Sequence, residues 1–218
     1  MSELRLHHRL ELARAYIARD YPRHEKAYRE LIALLVANGV GSAALREGDM
    51  IPEFALPNAE GRLVRSIELL QNGPVILSFY RGEWCPYCQG ELDVYAEFNE
   101  TIIKAGGQPA LLTAETGGQA LRSKLTRSAN FELLCDADLG VAMAFGLVFM
   151  VTPEVRAACT AVGDNFLDIY GGESGFLPIP ATYVVGQDGR IVVAHVDPDF
   201  TKRLDPLDVL ETISSLRG

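Results

Sequence analysis

The spacing of apolar residues over residues 3–38 predicts two amphipathic helices. The first apolar stripe consists of Leu4, Leu10, Leu12, Ala15 and Ile17. The second, after Tyr21-Pro22, consists of Tyr28, Leu31, Leu34 and Leu35. Two glycines, Gly39 and Gly41, favour the end of the second helix. We therefore predict a helical N-terminal extension over residues 1–44, in which the two helices pack as a hairpin.

After Gly48 the pattern changes to short apolar runs that alternate with helical segments. Residues 53–56 and 62–64 predict a β-hairpin, and Gly186-Gln187-Asp188-Gly189 predicts a second hairpin between strands 182–185 and 191–196. Further strands are predicted over 74–80, 109–113 and 131–135. Helices are predicted over 66–70, 86–105, 119–127, 141–145 and 206–216. The stretch 163–178, rich in Gly and Asp, predicts a loop.

The strand over 74–80 leads into Cys85-Pro86-Tyr87-Cys88. Proline is favoured at the first helical position, which puts Cys85 at the helix N-cap and Cys88 in the first turn. Free N–H groups and the helix dipole stabilise an anion there, so a thiol ionises more readily and becomes reactive. Two cysteines in one turn have Cα atoms about 5–6 Å apart, within reach of a disulfide. The motif predicts a thiol redox enzyme.

A Cys-x-x-Cys motif at the exit of the first strand of such a strand–helix order is typical of thioredoxins. We therefore predict an α/β, thioredoxin-like three-layer fold over residues 45–218. It has a central mixed sheet with helices on both faces, and it is preceded by the β-hairpin and the helical extension.

Composition narrows the function further. The chain has 218 residues and a net charge of -9, which argues against a nucleic-acid or anionic-membrane partner. No apolar run approaches the ~18 residues of a membrane span, and the N-terminus has no secretory pattern. Four cysteines do not form a dense disulfide framework, so we expect a reducing, cytoplasmic location. Since Cys135, Cys159 and His195 have no metal-site spacing, we expect no metal and no cofactor, with Cys135 and Cys159 as small buried residues.

Four stretches carry a resemblance to a known family: GDMIPEF (48–54), FYRGEWCPYC (79–88), LLCD leading to AFG (133–146) and PATYVV (180–185). Through them, residues 45–218 resemble the peroxiredoxin-like branch of the AhpC/TSA (alkyl hydroperoxide reductase/thiol-specific antioxidant) family, in the thioredoxin-fold superfamily. The resemblance puts Cys88 at the peroxidatic position and Glu91 at an acidic position. It also shows three departures, because Arg81 replaces the family proline, Cys85 replaces the Thr/Ser, and Pro180 stands where the family has an arginine.

The resemblance also implies which residues support the two cysteines. Tyr80 and Pro86 belong to the motif, and Trp84 can shield a disulfide from water. Arg81 is either a solvated charge or the replacement for the missing arginine, holding a thiolate or polarising a peroxide. Glu83 and Glu91 are expected to be surface charges at the helix start.

Similarity to thioredoxins adds an expectation about Ile179 and Pro180. It implies a cis Ile179-Pro180 bond packed against Cys85 or Trp84. The backbone of Ile179 would then face the cysteines, where it can pair with an extended substrate.

Three functions remain open at this stage. A peroxidase would use Cys88 to attack a hydroperoxide and Cys85 to resolve the sulfenic acid. A disulfide reductase would attack with Cys85 and release with Cys88. A redox sensor would be oxidised without turnover and would bind partners through its helical hairpin. Both enzymes imply a thioredoxin- or glutathione-type reductant, and the N-terminal helices could form a homodimer.

Overall fold

The computed structural model describes residues 5–116, 118–172 and 175–216 of the chain. Its strands, in chain order, are β1 (Ala55–Pro57), β2 (Leu63–Arg65), β3 (Val75–Phe79), β4 (Gln108–Thr113), β5 (Glu132–Cys135), β6 (Val148–Met150), β7 (Phe176–Pro178), β8 (Ala181–Val185) and β9 (Ile191–Val196). Its helices are α1 (Leu6–Asp20), α2 (Pro22–Ala37), α3 (Ser66–Gln71), α4 (Pro86–Ala105), α5 (Gln119–Arg127), α6 (Gly140–Ala144), α7 (Pro153–Ala161), α8 (Phe166–Tyr170) and α9 (Leu210–Ser215), with a 3-10 turn at Pro206–Val209 before α9.

The central sheet is built around β3, whose five residues are all buried. The strand order is β5-β4-β3-β8-β9. Strand β4 runs parallel to β3 and to β5, while β8 runs antiparallel to β3 and β9 antiparallel to β8. A strand buried on both faces needs a continuous apolar run, and this is what residues 75–79 supply. This mixed sheet with its helices confirms the thioredoxin-like fold class.

Helix α4 carries the cysteine motif and is held against the sheet by its apolar face. Leu92, Tyr95 and Ile102 on that face are buried. The helix ends at Gly106, which has φ 101° and caps it in the left-handed conformation. The first and last residues of α4, Pro86 and Ala105, agree with the sequence prediction.

The N-terminal helices pack on the rest of the molecule, α1 against α4 and α2 against α7. The face that α1 buries consists of Leu6, Leu10, Ala13 and Ile17, whereas Leu12 is exposed. On α2, Tyr28, Leu31 and Leu35 are buried as predicted, but Leu34 is exposed. The predicted stripes included apolar residues about 100° away from the face that packs. Leu4 lies outside the described residues.

The prediction of a loop over 163–178 is wrong in part, because this stretch contains α8 and β7. The side chain of Asn165 accepts a hydrogen bond from Leu167 N and caps α8, and Gly171 ends it with φ 68°. Strand β7 pairs with β6 in a small separate sheet. A helix of five residues is too short for its periodicity to show in the sequence. Residues 173–174 lie outside the described residues.

The expected cis bond at Ile179-Pro180 is also wrong, since the described residues contain no cis peptide bond. Ile179 N donates to Leu147 O at 2.6 Å and continues the β6–β7 pairing, and β8 begins two residues later at Ala181. The chain therefore enters the central sheet in an extended course, which a trans bond fits. None of the helices that the structure describes is long and apolar enough to cross a membrane.

Candidate active site

Cys85 and Cys88 lie at the N-terminus of α4, as predicted. Cys85 is the N-cap residue, and Pro86 is the first residue of the helix. Both thiols are unpaired, and both residues have 0% exposure. Any reaction at these sulfurs therefore takes place away from bulk water.

The turn between β3 and α4 is held by two buried hydrogen-bond acceptors. Glu83 N donates to Glu115 Oε1 at 2.9 Å, and Trp84 Nε1 donates to the Tyr170 hydroxyl at 2.7 Å. That hydroxyl in turn donates to Arg81 O at 2.7 Å. Trp84 is thus fixed in one orientation next to Cys85, and its shielding of a disulfide stays a prediction.

Arg81 is completely buried and faces Cys85. Its Nη2 donates to Cys85 Sγ at 2.9 Å. Three aromatic rings surround the guanidinium, with Cζ at 3.8 Å from the Phe200 centroid, 4.9 Å from Tyr28 and 5.1 Å from Trp84. Its Nε and Nη1 have no hydrogen-bond partner, and no carboxylate of the described residues forms an ion pair with it. Arg81 is therefore not the solvated charge that was one of the two alternatives left by the sequence, and its guanidinium contacts the Cys85 sulfur.

Arg203 faces the other cysteine, but in a different setting. Its Nη2 donates to Cys88 Sγ at 3.5 Å, and its Nη1 forms a short ion pair with Glu91 Oε2. Ser78 Oγ donates to the second oxygen of the same carboxylate at 2.7 Å. The Arg203 and Glu91 side chains are only 1% and 2% exposed.

The prediction that Glu91 is a surface charge is therefore wrong. Glu91 sits on the face of α4 that turns towards the sheet, and a carboxylate can be buried there because Arg203 compensates its charge. Glu83 fits the surface prediction better, since it is partly exposed and its carboxylate pairs with Arg127 at 2.9 Å.

The pKa values of the two thiols are shifted in opposite directions. Burial opposes ionisation of Cys85, but the hydrogen bond from the Cys88 thiol and the charges of Arg81 and Arg203 outweigh it and lower the pKa of Cys85 to about 5. Burial and the hydrogen bond to Cys85 raise the pKa of Cys88 well above its ordinary value. A thiolate at Cys85 beside a neutral thiol at Cys88 is the arrangement that these contacts favour.

Glu115 is a buried acid behind the active-site turn that the sequence prediction missed. It is 2% exposed and accepts hydrogen bonds from Glu83 N and Thr113 Oγ1. Burial, together with the nearby charge of Glu83, raises the pKa of Glu115 to about 8. A carboxyl group with such a pKa can hold a proton at neutral pH.

The remaining predicted site residues are Tyr80, Ile179 and Pro180. Tyr80 follows the last residue of β3, and Ile179 and Pro180 precede the first residue of β8, which pairs with β3. Tyr80 is buried, and its N–H donates to Leu112 O. Ile179 and Pro180 are buried at the start of β8. The N–H of Ile179 already donates to Leu147 O, which leaves only its carbonyl for the pairing with substrate that the sequence suggested.

The other two cysteines lie outside this constellation. Cys135 is half-buried at the end of β5. Cys159 is buried on α7, with its Sγ 3.5 Å from Nε2 of His24 on α2. Burial raises the pKa of Cys159 to about 12 and lowers that of His24 to about 4, so both groups are neutral at neutral pH.

Besides Glu115, three residues that shape the site were missed by sequence reasoning: Tyr28, Phe200 and Arg203. Arg203 contacts Cys88 across 115 positions of sequence, and Tyr28 comes from the N-terminal helices. No local motif marks any of them. The one available signal was the amphipathic face of α2, which included Tyr28.

Comparisons with known proteins agree with this architecture. The family model described as the AhpC/TSA family matches residues 48–194. A protein of Mycobacterium tuberculosis named "Putative peroxiredoxin" is 26% identical over 103 residues, which are 47% of this chain and 67% of the relative.

Two solved structures share the fold. The peroxidoxin BcpB from Mycobacterium tuberculosis has a TM-score of 0.61 at 21% identity, covering 80% of this chain and 99% of the other. A yeast mitochondrial 1-Cys peroxiredoxin has a TM-score of 0.59 at 15% identity, covering 79% of this chain and 76% of the other.

Proposed function

The chain belongs to the AhpC/TSA family and is a thiol oxidoreductase, and we propose that it reduces hydroperoxides through Cys85 and Cys88. In the proposed cycle a thiolate attacks the O–O bond, forms a sulfenic acid and releases an alcohol or water. The second thiol then condenses with the sulfenic acid, giving an intramolecular disulfide and one molecule of water.

One observation carries this proposal: two buried thiols share a helix N-terminus, and each accepts a hydrogen bond from a buried guanidinium. Guanidinium groups can polarise an O–O bond and stabilise the negative charge of the leaving oxygen. Since the two cysteines lie in one turn, resolution needs no unfolding of the helix.

A protein disulfide reductase is the second candidate, supported by Cys85 at the N-cap with a lowered pKa. The burial of both sulfurs is a reason to rank it second, because a protein disulfide must reach one of them directly. A redox sensor is the third candidate, and turnover separates it from both enzymes.

The proposed cycle needs a reductant that opens the Cys85–Cys88 disulfide. A thioredoxin- or glutathione-type thiol fits, and the related yeast enzyme is described as resolved through glutathione and thioredoxin systems. Such reductants are abundant in the cytoplasm, where we propose that the protein works. A homodimer through the N-terminal helices stays a prediction, for which the exposed Leu12 and Leu34 offer apolar surface. Sedimentation of the wild type and of Leu12→Lys checks it.

The test is steady-state consumption of hydrogen peroxide and tert-butyl hydroperoxide, with thioredoxin or glutathione as the reductant. We expect turnover by the wild type and by Cys135→Ser, the matched control, and none by the Cys85→Ser/Cys88→Ser double variant. Reduction of insulin disulfides without consumption of either peroxide would replace the proposal with the reductase. One stoichiometric oxidation with no turnover by any reductant would favour the sensor.

A further inference from the structure

Resting on the proposed function, we propose that Cys85 is the thiolate that attacks the hydroperoxide, with Arg81 as its counter-ion, and that Cys88 is the resolving thiol. This reverses the roles that the position of Cys88 in the family motif implies.

Charge balance is the first argument. Arg81 and Arg203 are both buried, and a buried cation needs an anion beside it. Arg203 has the carboxylate of Glu91, whose second oxygen accepts from Ser78. Arg81 has no carboxylate partner among the described residues, and the only acceptor of its guanidinium is Cys85 Sγ at 2.9 Å. Cys85 is therefore the anion that compensates Arg81.

The position of each sulfur on α4 is the second argument. As N-cap residue, Cys85 faces the positive end of the helix dipole, while Cys88 lies inside the first turn. The neighbouring Cys88 thiol, whose own pKa is raised, also lowers the pKa of Cys85. Cys88, the resolving residue in this proposal, thus keeps its proton while Cys85 is ionised.

The unused donors of Arg81 are the third argument. Its Nε and Nη1 are buried without partners on the same guanidinium that holds Cys85. A hydroperoxide oxygen is a hydrogen-bond acceptor of the right size for such a donor. One side chain can therefore hold both the nucleophile and the oxygen that it attacks.

A cavity large enough for a small hydroperoxide adjoins the active-site turn. A cavity of about 180 Å³ lies between the N-terminal helices and the active-site turn. Its walls include Tyr16, His24, Trp84 and Pro86. The cavity lies beside the turn that carries both sulfurs, since Pro86 follows Cys85 and Gln89 follows Cys88.

The step balances as follows. The Cys85 thiolate bonds to the terminal oxygen of R–O–O–H, the O–O bond breaks, and R–O⁻ leaves and takes a proton from solvent to give R–OH. Cys88–SH then attacks the sulfur of Cys85–S–OH, the disulfide forms, and the hydroxyl leaves with the Cys88 proton as water.

Single-turnover oxidation of the single variants tests the assignment. With hydrogen peroxide, Cys88→Ser should form a sulfenic acid at Cys85 at the wild-type rate, trapped with dimedone and located by mass spectrometry. Cys85→Ser should react at least about 100-fold more slowly. Fast sulfenic acid at Cys88 in Cys85→Ser, with slow reaction of Cys88→Ser, would overturn the inference and leave the peroxidase intact. If the wild type consumes no peroxide, the proposed function fails instead.

Thiolate absorbance in the ultraviolet tests the ion pair without any reference to peroxide. In the wild type and in Cys88→Ser, absorbance should be lost as the pH falls through about 5, and Cys85→Ser should show no such step. Arg81→Met should move the midpoint up by about 2 units or more, and Arg81→Lys should restore it in part because it keeps the charge. Arg29→Met, at an exposed arginine, is the matched control. A midpoint that Arg81→Met leaves unchanged would overturn the counter-ion role.

Discussion

The two buried arginines of the active site differ in what compensates their charge. Arg203 pairs with a carboxylate, and its contact with Cys88 is long, at 3.5 Å. Arg81 is enclosed by three aromatic rings and contacts Cys85 at 2.9 Å. Because aromatic faces attract a cation but carry no net charge, the Cys85 thiolate is the group among the described residues that can neutralise Arg81. Arg203 is neutralised by the Glu91 carboxylate, whereas Arg81 has no carboxylate partner among the described residues. This difference favours ionisation of Cys85 over Cys88.

The two settings also differ in origin. Cys85, Arg81 and Trp84 come from one turn, within the residues that match the family model. Tyr28, Phe200 and Arg203 lie before or after the matched range of 48–194. The segments that flank the family domain therefore supply both the ring closest to Arg81 and the cation at Cys88.

The largest effect is expected from Glu91→Gln, which makes the surroundings of Arg203 resemble those of Arg81. The buried guanidinium loses its carboxylate, so the free energy of unfolding should fall by about 3–5 kcal/mol. The pKa of Cys88 should fall too, because its thiolate becomes the remaining anion. Urea unfolding and thiolate absorbance of the variant in a Cys85→Ser background measure the two effects.

Glu97→Gln is the control for this change, since Glu97 lies on the same helix and pairs with Arg9 at the surface. It should cost no more than about 1 kcal/mol. If Glu91→Gln cost as little as Glu97→Gln and left Cys88 unchanged, the charge of Arg203 would be balanced by another group.

The second prediction concerns Glu115, which is the opposite case of a buried acid without a cation. Its folded-state pKa is about 8 against an ordinary 4.5, so its ionisation penalises the folded state increasingly as pH rises from 4.5 through 8. Glu115→Gln cannot ionise and should gain stability relative to the wild type over this interval, by about 4 kcal/mol for the three units between pH 5 and pH 8. Urea unfolding from pH 5 to 8.5 measures the difference, and parallel curves would contradict the raised pKa.

The third prediction concerns Tyr28, one of the three aromatic residues that surround the Arg81 guanidinium. Tyr28→Leu removes a ring whose centroid lies 4.9 Å from the guanidinium and should lower the free energy of unfolding by about 1–2 kcal/mol. Tyr28→Phe keeps the ring and should retain most of that stability. Equal losses in the two variants would assign the effect to the hydroxyl and not to the ring.

The smallest effect is expected from Trp84→Phe, at the most distant of the three rings. The variant keeps an aromatic face near Arg81 but loses the hydrogen bond to Tyr170, which should cost about 1 kcal/mol. Thermal unfolding at pH 7 measures it. Tyr16→Phe, which removes an exposed hydroxyl contact with Tyr21, should be close to neutral.

The parts of the site that could be predicted from the sequence are those set by neighbours in the chain. Pro86 alone fixes Cys85 as the N-cap, and Arg81 reaches Cys85 because it lies four residues away. Glu91 was placed wrongly because its burial depends on Arg203, which lies 112 positions further on. Ile179-Pro180 was placed wrongly because the pairing of β6 with β7, hidden in a Gly-rich stretch, sets the course of the chain there.

Gly82 carries none of the chemistry, yet the geometry of the turn leaves it no room for a side chain. A Cβ atom there would lie 2.5 Å from Trp84 Nε1 and 2.8 Å from Glu115 Oε1. Even an alanine would push apart the two hydrogen bonds that hold the turn, Trp84 to Tyr170 and Glu83 to Glu115. In a library of random variants screened for peroxide survival, position 82 should therefore tolerate as little change as the cysteines. In such a screen, a position that has no room for a side chain and a position that carries a nucleophile would therefore show the same intolerance to substitution.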